Sequence, residues 1–381
     1  MHMNDVQLYD RQNIDTLEWP QSIDGIYAAN FLLPLIKNKV SYYIDNIDVD
    51  AYVIKVADFV FPVLATTENY TNSWVCSPYA HYIAYGKESL NLVKNPMIAS
   101  LIGKMLGGLD KISRKSRMNS IVYVNNWMFS TDLYPEGLSQ TQIQQVVNVL
   151  KKHFPHHAIM WRSLNELTNS HLKKSLSREG FHLIASRYVF VTDTKNAEVF
   201  KARVLKSDLK LWKENPYQIV SQDELLPEEY SQLLELYSKL YVIDHSPLQP
   251  QFNLHFFKML LEKKLMQFKI LKSSGEIKGI AGYYKRGNVM MCPLFGYEKN
   301  NAESNTIYRI LNTALLMEAQ KQGLLFNQSA GAAFFKSIRR ATGCLEYSAV
   351  YTKHLPPTRQ IFWSTLKFFI NKFGSRYMEK Y

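Results

Sequence analysis

Cysteine is scarce in this chain of 381 residues, and its scarcity narrows the structural classes to which the chain can belong. The three cysteines, Cys76, Cys292 and Cys344, lie far apart in the sequence, and none belongs to a Cys-x-x-Cys pair. This number and spacing argue against a disulfide framework and against a structural zinc site, and they fit a reducing compartment.

Long apolar runs are also missing. No uninterrupted apolar stretch approaches the roughly 18 residues that a transmembrane helix needs. The N-terminal residues 1–12 are polar and lack the apolar core of a signal peptide. The sequence therefore predicts a cytoplasmic protein that does not span a membrane.

The motifs of several common enzyme classes are absent. The sequence contains no P-loop, no dinucleotide-binding fingerprint, no His-Glu-x-x-His and no Gly-x-Ser-x-Gly elbow. His156 and His157 are adjacent, but they follow a proline in a predicted turn and no third ligand lies near them. We therefore predict no metal site.

Acidic residues are fewer than basic ones, 33 against 45, which gives a net charge of +12. Such an excess predicts an anionic partner: nucleic acid, a phosphate-bearing small molecule, a carrier protein or a membrane surface. More than half of the excess lies after residue 331. There, residues 359–381 predict an amphipathic helix that docks onto its own domain or, alternatively, attaches peripherally to an anionic membrane.

One pattern of predicted elements occurs twice. Residues 120–191 are predicted to form a strand, a helix, a strand, a helix ending at Gly180 and a closing strand, and residues 280–351 repeat this order. Hydrophobic content is 46% and helical and strand patterns are mixed. The sequence therefore predicts an α/β (α+β) protein with a duplicated unit, joined by a basic, polar bridging segment.

The second copy contains a stretch that resembles a binding site. Residues 327–351 predict the end of a buried strand, a tight Ser-Ala-Gly turn, a short basic helix stopped by Gly343, and a second strand. Free backbone N–H groups at such a junction can face an anion, although many ordinary strand–helix junctions have the same pattern.

These residues carry a resemblance to a known superfamily. The segment Phe326-Asn327-Gln328-Ser329-Ala330-Gly331, then Phe335-Lys336, Gly343 and Glu346-Tyr347, resembles the Gcn5-related N-acyltransferases (GNAT). The double arrangement is similar to the FemABX-type aminoacyltransferases and to uncharacterised bacterial acyltransferase-like proteins. The resemblance implies two tandem GNAT-like domains, each with a mixed central sheet flanked by helices. We expect these at 1–195 and 226–358, with a bridge at 196–225 and a C-terminal helix at 359–381.

The sequence departs from the superfamily at one functional loop. GNAT proteins usually bind the coenzyme A pyrophosphate with a glycine-rich loop before the long helix, because glycines let backbone N–H groups wrap the phosphates. The corresponding loops here, residues 134–140 and 298–305, do not fit that pattern. We therefore expect no permanently bound cofactor, and acyl-CoA, a carrier-bound thioester and aminoacyl-tRNA all stay open as donors.

The candidate site residues follow from the resemblance and from side-chain chemistry. Lys336 corresponds to the position where FemABX-type enzymes place a cation near the reacting ester. His245, beside Asp244 in a loop, is a candidate for proton transfer, and Tyr351 is a further catalytic candidate. The candidates for substrate binding are Arg162, Arg187, Asn327, Ser329, Arg339 and Arg340. A strand arginine that faces inward needs a buried carboxylate or an anionic ligand.

The predicted function is acyl or aminoacyl transfer. The chain would join an activated acyl group to the amine of a small molecule or peptide in envelope or secondary-metabolite biosynthesis. An acyl carrier protein or an aminoacyl-tRNA is a possible partner. The alternative is a non-enzymatic module of the same fold that binds an anionic ligand, RNA or a membrane surface. The missing phosphate-binding glycines favour this alternative.

Overall fold

The computed structural model describes residues 6–88, 90, 95–299 and 302–379. Part of the predicted phosphate loop, Asn300 and Asn301, and the last two residues, Lys380 and Tyr381, lie outside this range. Within the described residues, no helix is both long enough and apolar enough to cross a bilayer.

Strands and helices are mixed along the whole chain. The strands are β1 Val6–Tyr9, β2 Asp50–Val56, β3 Phe59–Thr66, β4 Ile121–Val124, β5 Ala158–Leu164, β6 His182–Asp193, β7 Gln218–Val220, β8 Gln267–Ser273, β9 Glu276–Arg286, β10 Val289–Tyr297, β11 Leu325–Asn327 and β12 Thr342–Tyr351. The helices are α1 Ile23–Asn38, α2 Tyr85–Glu88, α3 Pro96–Lys115, α4 Gln140–His153, α5 Ser170–Arg178, α6 Ala197–Phe200, α7 Arg203–Lys213, α8 Tyr230–Tyr237, α9 Leu254–Glu262, α10 Ser304–Lys321, α11 Ala333–Ser337, α12 Pro357–Phe369 and α13 Ser375–Met378.

The predicted duplication is present in the order of elements. The first half contains β4, α4, β5, α5 and β6, and the second half contains β10, α10, β11, α11 and β12. In each half the first two of these strands are parallel, β4 with β5 and β10 with β11. The mixed α/β fold with a central sheet flanked by helices is therefore confirmed.

The two halves share one sheet, and their closing strands are exchanged. The sheet has the order β1-β2-β3-β4-β5-β12-β6-β11-β10-β9-β8-β7. Strand β12 of the second half pairs with β5 of the first, β6 pairs with β11, and β6 and β12 pair with each other at the centre. The predicted boundaries at 195, 225 and 358 remain a prediction, and the structure adds that strands cross between the halves.

The hydrophobic core differs between the two faces of the sheet. On one face a single cluster, the common core, runs across both halves and includes Phe31, Met160, Phe256 and Leu294. The other face carries two separate clusters, the first-half core under α4 and α5 and the second-half core under α10. Any group that lies on the common-core face near the central strands is therefore enclosed by elements of both halves.

The two predicted glycine stops have different outcomes. Gly180 ends α5 with a φ of 87°, which glycine adopts without strain, so this prediction is confirmed. The stop at Gly343 is wrong: α11 already ends at Ser337, the left-handed residue after it is Arg340, and Gly343 lies inside β12. A side chain at Gly343 would overlap the ring of Tyr188 on β6. Close strand packing is the reason for this glycine.

Candidate functional site

A chain of polar contacts lies where the exchanged strands meet. Arg187 on β6 donates from Nε and NH2 to Oε1 of Glu346 on β12, at 2.9 and 2.6 Å. Its NH1 donates to the hydroxyl of Ser329 at 3.2 Å. The backbone N–H of Ser329 donates to Oδ1 of Asn327, at the end of β11, at 2.8 Å. The structure therefore brings together three predicted binding residues and one carboxylate from both halves.

A second buried ion pair adjoins the first. Arg162 on β5 lies 3.2 Å from the carboxylate of Asp132, and both side chains are buried. The guanidinium carbons of Arg162 and Arg187 each lie 5.1 Å from the ring centre of Trp74. We refer to Asp132, Arg162, Arg187, Asn327, Ser329 and Glu346 as the central site. It contains two cations and two carboxylates, so its charges balance and neither arginine is an unpaired buried charge.

A narrow cavity opens beside these ion pairs. Its free space is about 10 Å³, enough for roughly one water molecule. Lining it are Trp74, Pro78, His81, Tyr82, Tyr123, Met160, Arg162, Ser163, Ser186, Glu346 and Ser348. The segment before α2 therefore contributes an aromatic wall to this cavity, through Trp74, His81 and Tyr82.

Two buried polar atoms in the central site lack partners. Among the described residues, neither Oε2 of Glu346 nor Nδ2 of Asn327 has a hydrogen-bond partner. Both side chains are about 1% exposed, so an unsatisfied atom in either is costly unless a ligand or water meets it. Because Asn327 alternates with Phe326, which packs in the second-half core, its side chain points to the common-core face, where Glu346 also lies. The site thus offers one acceptor and one donor to a ligand.

Burial shifts the pKa of two groups near the arginines. Burial, with smaller contributions from Arg162 and Arg187, lowers the pKa of His81 to about 3. Burial raises the pKa of Asp132 to about 6, although Arg162 opposes this change. His81 is therefore neutral at pH 7 and can accept a hydrogen bond there.

We expect the protein to lose stability as the pH falls below 6.5. Burial is the main cause that lowers the pKa of His81, His157, His182 and His354. These rings bind protons more weakly when folded than when unfolded, so their contribution is complete above about pH 6.5 and is lost toward pH 4. For each proton taken up on unfolding, the free energy of unfolding falls by about 1.4 kcal/mol per pH unit.

Urea unfolding at a series of pH values between 4 and 7.5 measures this loss. His81→Gln should reduce the slope, whereas His171→Gln, at an exposed position on α5, should leave it unchanged. Equal slopes for the wild type and His81→Gln would show that the His81 ring does not titrate differently on folding.

Lys336 is buried rather than exposed on a basic helix. Its Nζ donates to the backbone carbonyls of Gln328, Ser329 and Ala330 at 2.7, 3.2 and 2.8 Å. Burial, followed by Arg187, lowers the pKa of Lys336 to about 7. The turn after β11 therefore directs three carbonyls inward onto a lysine, instead of presenting N–H groups to an anion as the sequence predicted. Lys336 fixes the backbone that carries Asn327 and Ser329.

The two arginines of the predicted binding helix lie away from the central site. Arg339 donates from Nε to Asp208 on α7 at 2.6 Å and from NH1 to the carbonyl of Phe335 at 2.9 Å. Arg309 on α10 also donates to Asp208 at 2.6 Å. Arg340, just after α11, is exposed and has a φ of 66°. The structure thus places Arg339 in a cluster that ties α7, α10 and the α11 region together.

Two predicted catalytic residues also lie elsewhere. Tyr351 packs against Phe181 and stacks on His354, on the face of the first-half core. His245 is exposed and lies 2.5 Å from the hydroxyl of Tyr85. Tyr85 follows the π-helical segment Ala80–Ala84, and His245 follows the π-helical segment Ser238–Ile243. Such segments are frequent near functional sites.

The second half contains a gap between its two parallel strands. Strand β10 pairs with β11 over residues 289–291 and 325–327, and its register against β9 shifts between Met291 and Leu294. In the described chain, β10 continues to Tyr297 without a strand on the β11 side. Paired backbone groups are the rule in a sheet, so this edge is open to another hydrogen-bonding chain.

Aromatic side chains of β10, α10 and α11 pack together near this strand edge. We define the second-half gap by Tyr241, Cys292, Tyr297, Tyr308 and Phe335. The rings of Tyr297 and Tyr308 lie 5.6 Å apart, and Tyr308 contacts Phe335 of α11 at 4.7 Å. Tyr241 packs against both the common core and the second-half core. Tyr241 therefore contacts the apolar clusters on both faces of the sheet.

The equivalent place in the first half is filled by the protein. Strand β4 pairs with β5 along its full length and is followed by Asn125 and Trp127. The indole N–H of Trp127 donates to Asn125 at 2.8 Å, and Arg286 stacks on the indole at 4.3 Å. Trp127 is fully buried. The two halves therefore differ in strand pairing: β4 is paired along its full length, whereas β10 pairs with β11 only over residues 289–291.

Three buried carboxylates were not predicted as site residues: Asp132 and Glu346 in the central site, and Asp208 in the cluster with Arg309 and Arg339. Glu346 belongs to an alternating strand, Asp132 follows an aromatic loop, and Asp208 is one acid in a basic segment. The available signal was indirect: Arg162 and Arg187 were predicted to need either a buried carboxylate or an anionic ligand. Glu346 and Asp132 are those partners.

Comparison with known proteins gives a likeness in fold. No family model matches the chain, and no curated protein matches its sequence. Solved structures that match include a conserved protein of unknown function from Bacteroides thetaiotaomicron, 10% identical over 92% of this chain and 98% of that one, TM-score 0.48. FemX is 9% identical over 63% and 83%, TM-score 0.47. A tandem GNAT protein from the clavulanic acid biosynthesis pathway is 8% identical over 91% and 98%, TM-score 0.40. One of these three neighbours is a GNAT protein, and all three are 10% identical to this chain or less.

Proposed function

We propose that the chain is an acyl- or aminoacyltransferase that forms an amide between an activated acyl donor and the amine of a small molecule or peptide, in envelope or secondary-metabolite biosynthesis. The observation that carries this proposal is the second-half gap. It is an open strand edge lined by aromatic rings, and Tyr241 connects it to the face that holds the unpartnered atoms of Asn327 and Glu346.

The donor would lie along the open edge of β10. Its acyl-bearing arm can form backbone hydrogen bonds with residues 292–297, as an added strand does, and can pack on Tyr297 and Tyr308. Because glycines are absent from residues 298–305, the donor's polar end must be held by side chains, which leaves acyl-CoA, a carrier thioester and aminoacyl-tRNA as candidates.

The central site would supply the groups that the reaction needs. The amine nitrogen attacks the acyl carbon, a C–N bond forms, and the C–S or C–O bond to the carrier breaks. Glu346 Oε2 would accept the proton that the amine loses, and Asn327 Nδ2 would donate to the oxyanion. One such donor is worth about 10²- to 10³-fold in rate. Arg187 and Ser329 would hold both residues in place.

The earlier candidates take narrower roles in this proposal. Lys336 would act as a positioning residue, through the turn at 328–330 whose carbonyls it binds. Arg162 would orient Asp132 and support Trp74 at the cavity wall. His245 and Tyr85, which contact each other next to the two π-helical segments, would take no part in the proton transfer assigned to Glu346.

The test is to incubate the purified chain with each class of donor and a panel of amines, and to follow amide products by mass spectrometry. We expect amide formation with one of the three donor classes. Donor binding without turnover would favour the non-enzymatic binding module instead. If none of the three classes binds or reacts, the proposal is wrong.

A further inference from the structure

The C-terminal helices carry an apolar surface on their outer side. We define the C-terminal stripe as Ile361, Phe368, Phe369, Lys372, Phe373 and Arg376, all of which are exposed. Ile361, Phe368 and Phe373 are 64%, 54% and 55% exposed. Ile361 and Phe368 are seven residues apart, Phe369 and Phe373 are four apart, and Phe373 and Arg376 are three apart, and such spacings lie along one side of a helix. A run of large apolar side chains on one side of a helix marks an interaction surface.

The packing of these helices onto their own domain is already complete on the other side. Phe362, Trp363 and Leu366 are buried in the common core. Arg359 donates to the backbone carbonyls of Ser116, Arg117 and Ser120. The predicted docking of this segment therefore occurs, and it uses a different set of apolar residues. The apolar residues of the C-terminal stripe are not part of the docked face, so docking does not explain why they are apolar.

The charge of this surface indicates its partner. From residue 352 to the end, Glu379 is the only acidic residue. Lys372 lies over the rings of Phe368 and Phe373, at 5.2 and 5.6 Å, and Lys367 borders a groove with Phe368 and Lys372. Exposed aromatic rings with lysine and arginine beside them are the composition of helices that lie in the interface of a bilayer.

We propose that the C-terminal stripe binds the surface of an anionic lipid bilayer. The phenylalanine rings enter the boundary between head groups and acyl chains, and Lys372 and Arg376 contact the lipid phosphates. The helix would lie flat, because its inner face stays on the protein core. This proposal concerns a surface outside the central site, so its test does not depend on the proposed transferase activity.

The stripe is fixed rigidly to the strand that carries Arg187. The side-chain amide of Asn371 donates to the carbonyl of Leu183 at 2.9 Å and accepts from the N–H of Ala185 at 2.8 Å, both on β6. A bilayer bound at the stripe would therefore hold the central site at a fixed distance and orientation. An amine acceptor embedded in that bilayer would then reach the site at high local concentration.

Co-sedimentation of the full chain with vesicles tests the proposal. We expect binding to vesicles of phosphatidylcholine mixed with phosphatidylglycerol, weak binding to phosphatidylcholine alone, and loss of binding at high salt. Phe368→Ser with Phe373→Ser should weaken binding by roughly tenfold or more, since two half-exposed rings no longer enter the lipid. Lys372→Glu should weaken binding about fivefold or more, and only to the anionic vesicles.

A matched control keeps the experiment decisive. Ile23→Ser removes an apolar side chain that is 88% exposed on α1, away from the stripe, and should leave vesicle binding unchanged. Thermal unfolding of each variant shows that the fold is retained. The proposal is wrong if the wild type does not bind anionic vesicles, or if the double phenylalanine variant binds as the wild type does. It is also wrong if sedimentation shows that the stripe instead joins two copies of the chain.

Discussion

Replacing Glu346 by glutamine lowers the rate of amide formation by about 10²- to 10³-fold and leaves the donor KM within about twofold of the wild type. The reason is that glutamine can still accept the hydrogen bonds from Arg187 at Oε1, but its amide cannot take a proton at the position of Oε2. The second-half gap, where the donor would bind, is formed by other residues, so the affinity for the donor does not depend on the carboxylate of Glu346.

Steady-state kinetics with varied donor and amine concentrations separate these effects. Glu166→Gln is the matched control, because Glu166 forms an exposed ion pair with Lys173 and should change neither parameter. Circular dichroism and thermal unfolding establish that Glu346→Gln is folded. An unchanged kcat in a folded Glu346→Gln variant would remove Glu346 from the reaction. A loss confined to donor KM would assign it to binding.

Replacing Asp208 by asparagine lowers the free energy of unfolding by about 3–5 kcal/mol. Asp208 is buried and accepts from Nε of Arg309 and Nε of Arg339, each at 2.6 Å. Asparagine can satisfy at most one of these donors with its carbonyl, and its own N–H groups then face a guanidinium. Two partly buried cations lose their counter-charge together.

Urea denaturation measures this change, with Asp223→Asn as the control. Asp223 pairs with Lys264 on the surface, where loss of an ion pair is worth less than about 1 kcal/mol. A loss below about 1 kcal/mol for Asp208→Asn would indicate that water reaches Arg339 and that its guanidinium is available to a ligand. Such a result would restore Arg339 as a binding residue.

Local periodicity was sufficient to predict the order of the elements. The repeat of β4, α4, β5, α5 and β6 in the second half follows from apolar spacing, which each segment carries by itself. The exchange of closing strands was beyond prediction, because the apolar pattern of β6 suits pairing with either β5 or β11. Pairing of distant strands depends on the whole fold. Gly343 shows the same limit, since only Tyr188 on the neighbouring strand explains it.

The candidate site was predictable in part. Arg187 was predicted because a strand arginine that faces inward needs a partner, and Asn327 and Ser329 because they lie in the segment that carries the resemblance; the structure joins all three. Lys336 was predicted as a cation facing a substrate, yet its hydrogen bonds go to its own backbone. A turn that directs carbonyls inward has no signature in residue type. Glu346 was missed because a single acid in a strand does not reveal which arginine it meets.

The exchanged strands also determine when the protein can fold as it leaves the ribosome. Leu164 pairs with Tyr347, so β5 of the first half has no neighbour on that side until β12 has been synthesised. In the meantime β5 and β6 present unpaired edges, which attract other extended chains. We infer that a chain that stops before β12 aggregates instead of forming a stable first half, and that folding of the shared sheet is slow, because distant pairings must close together.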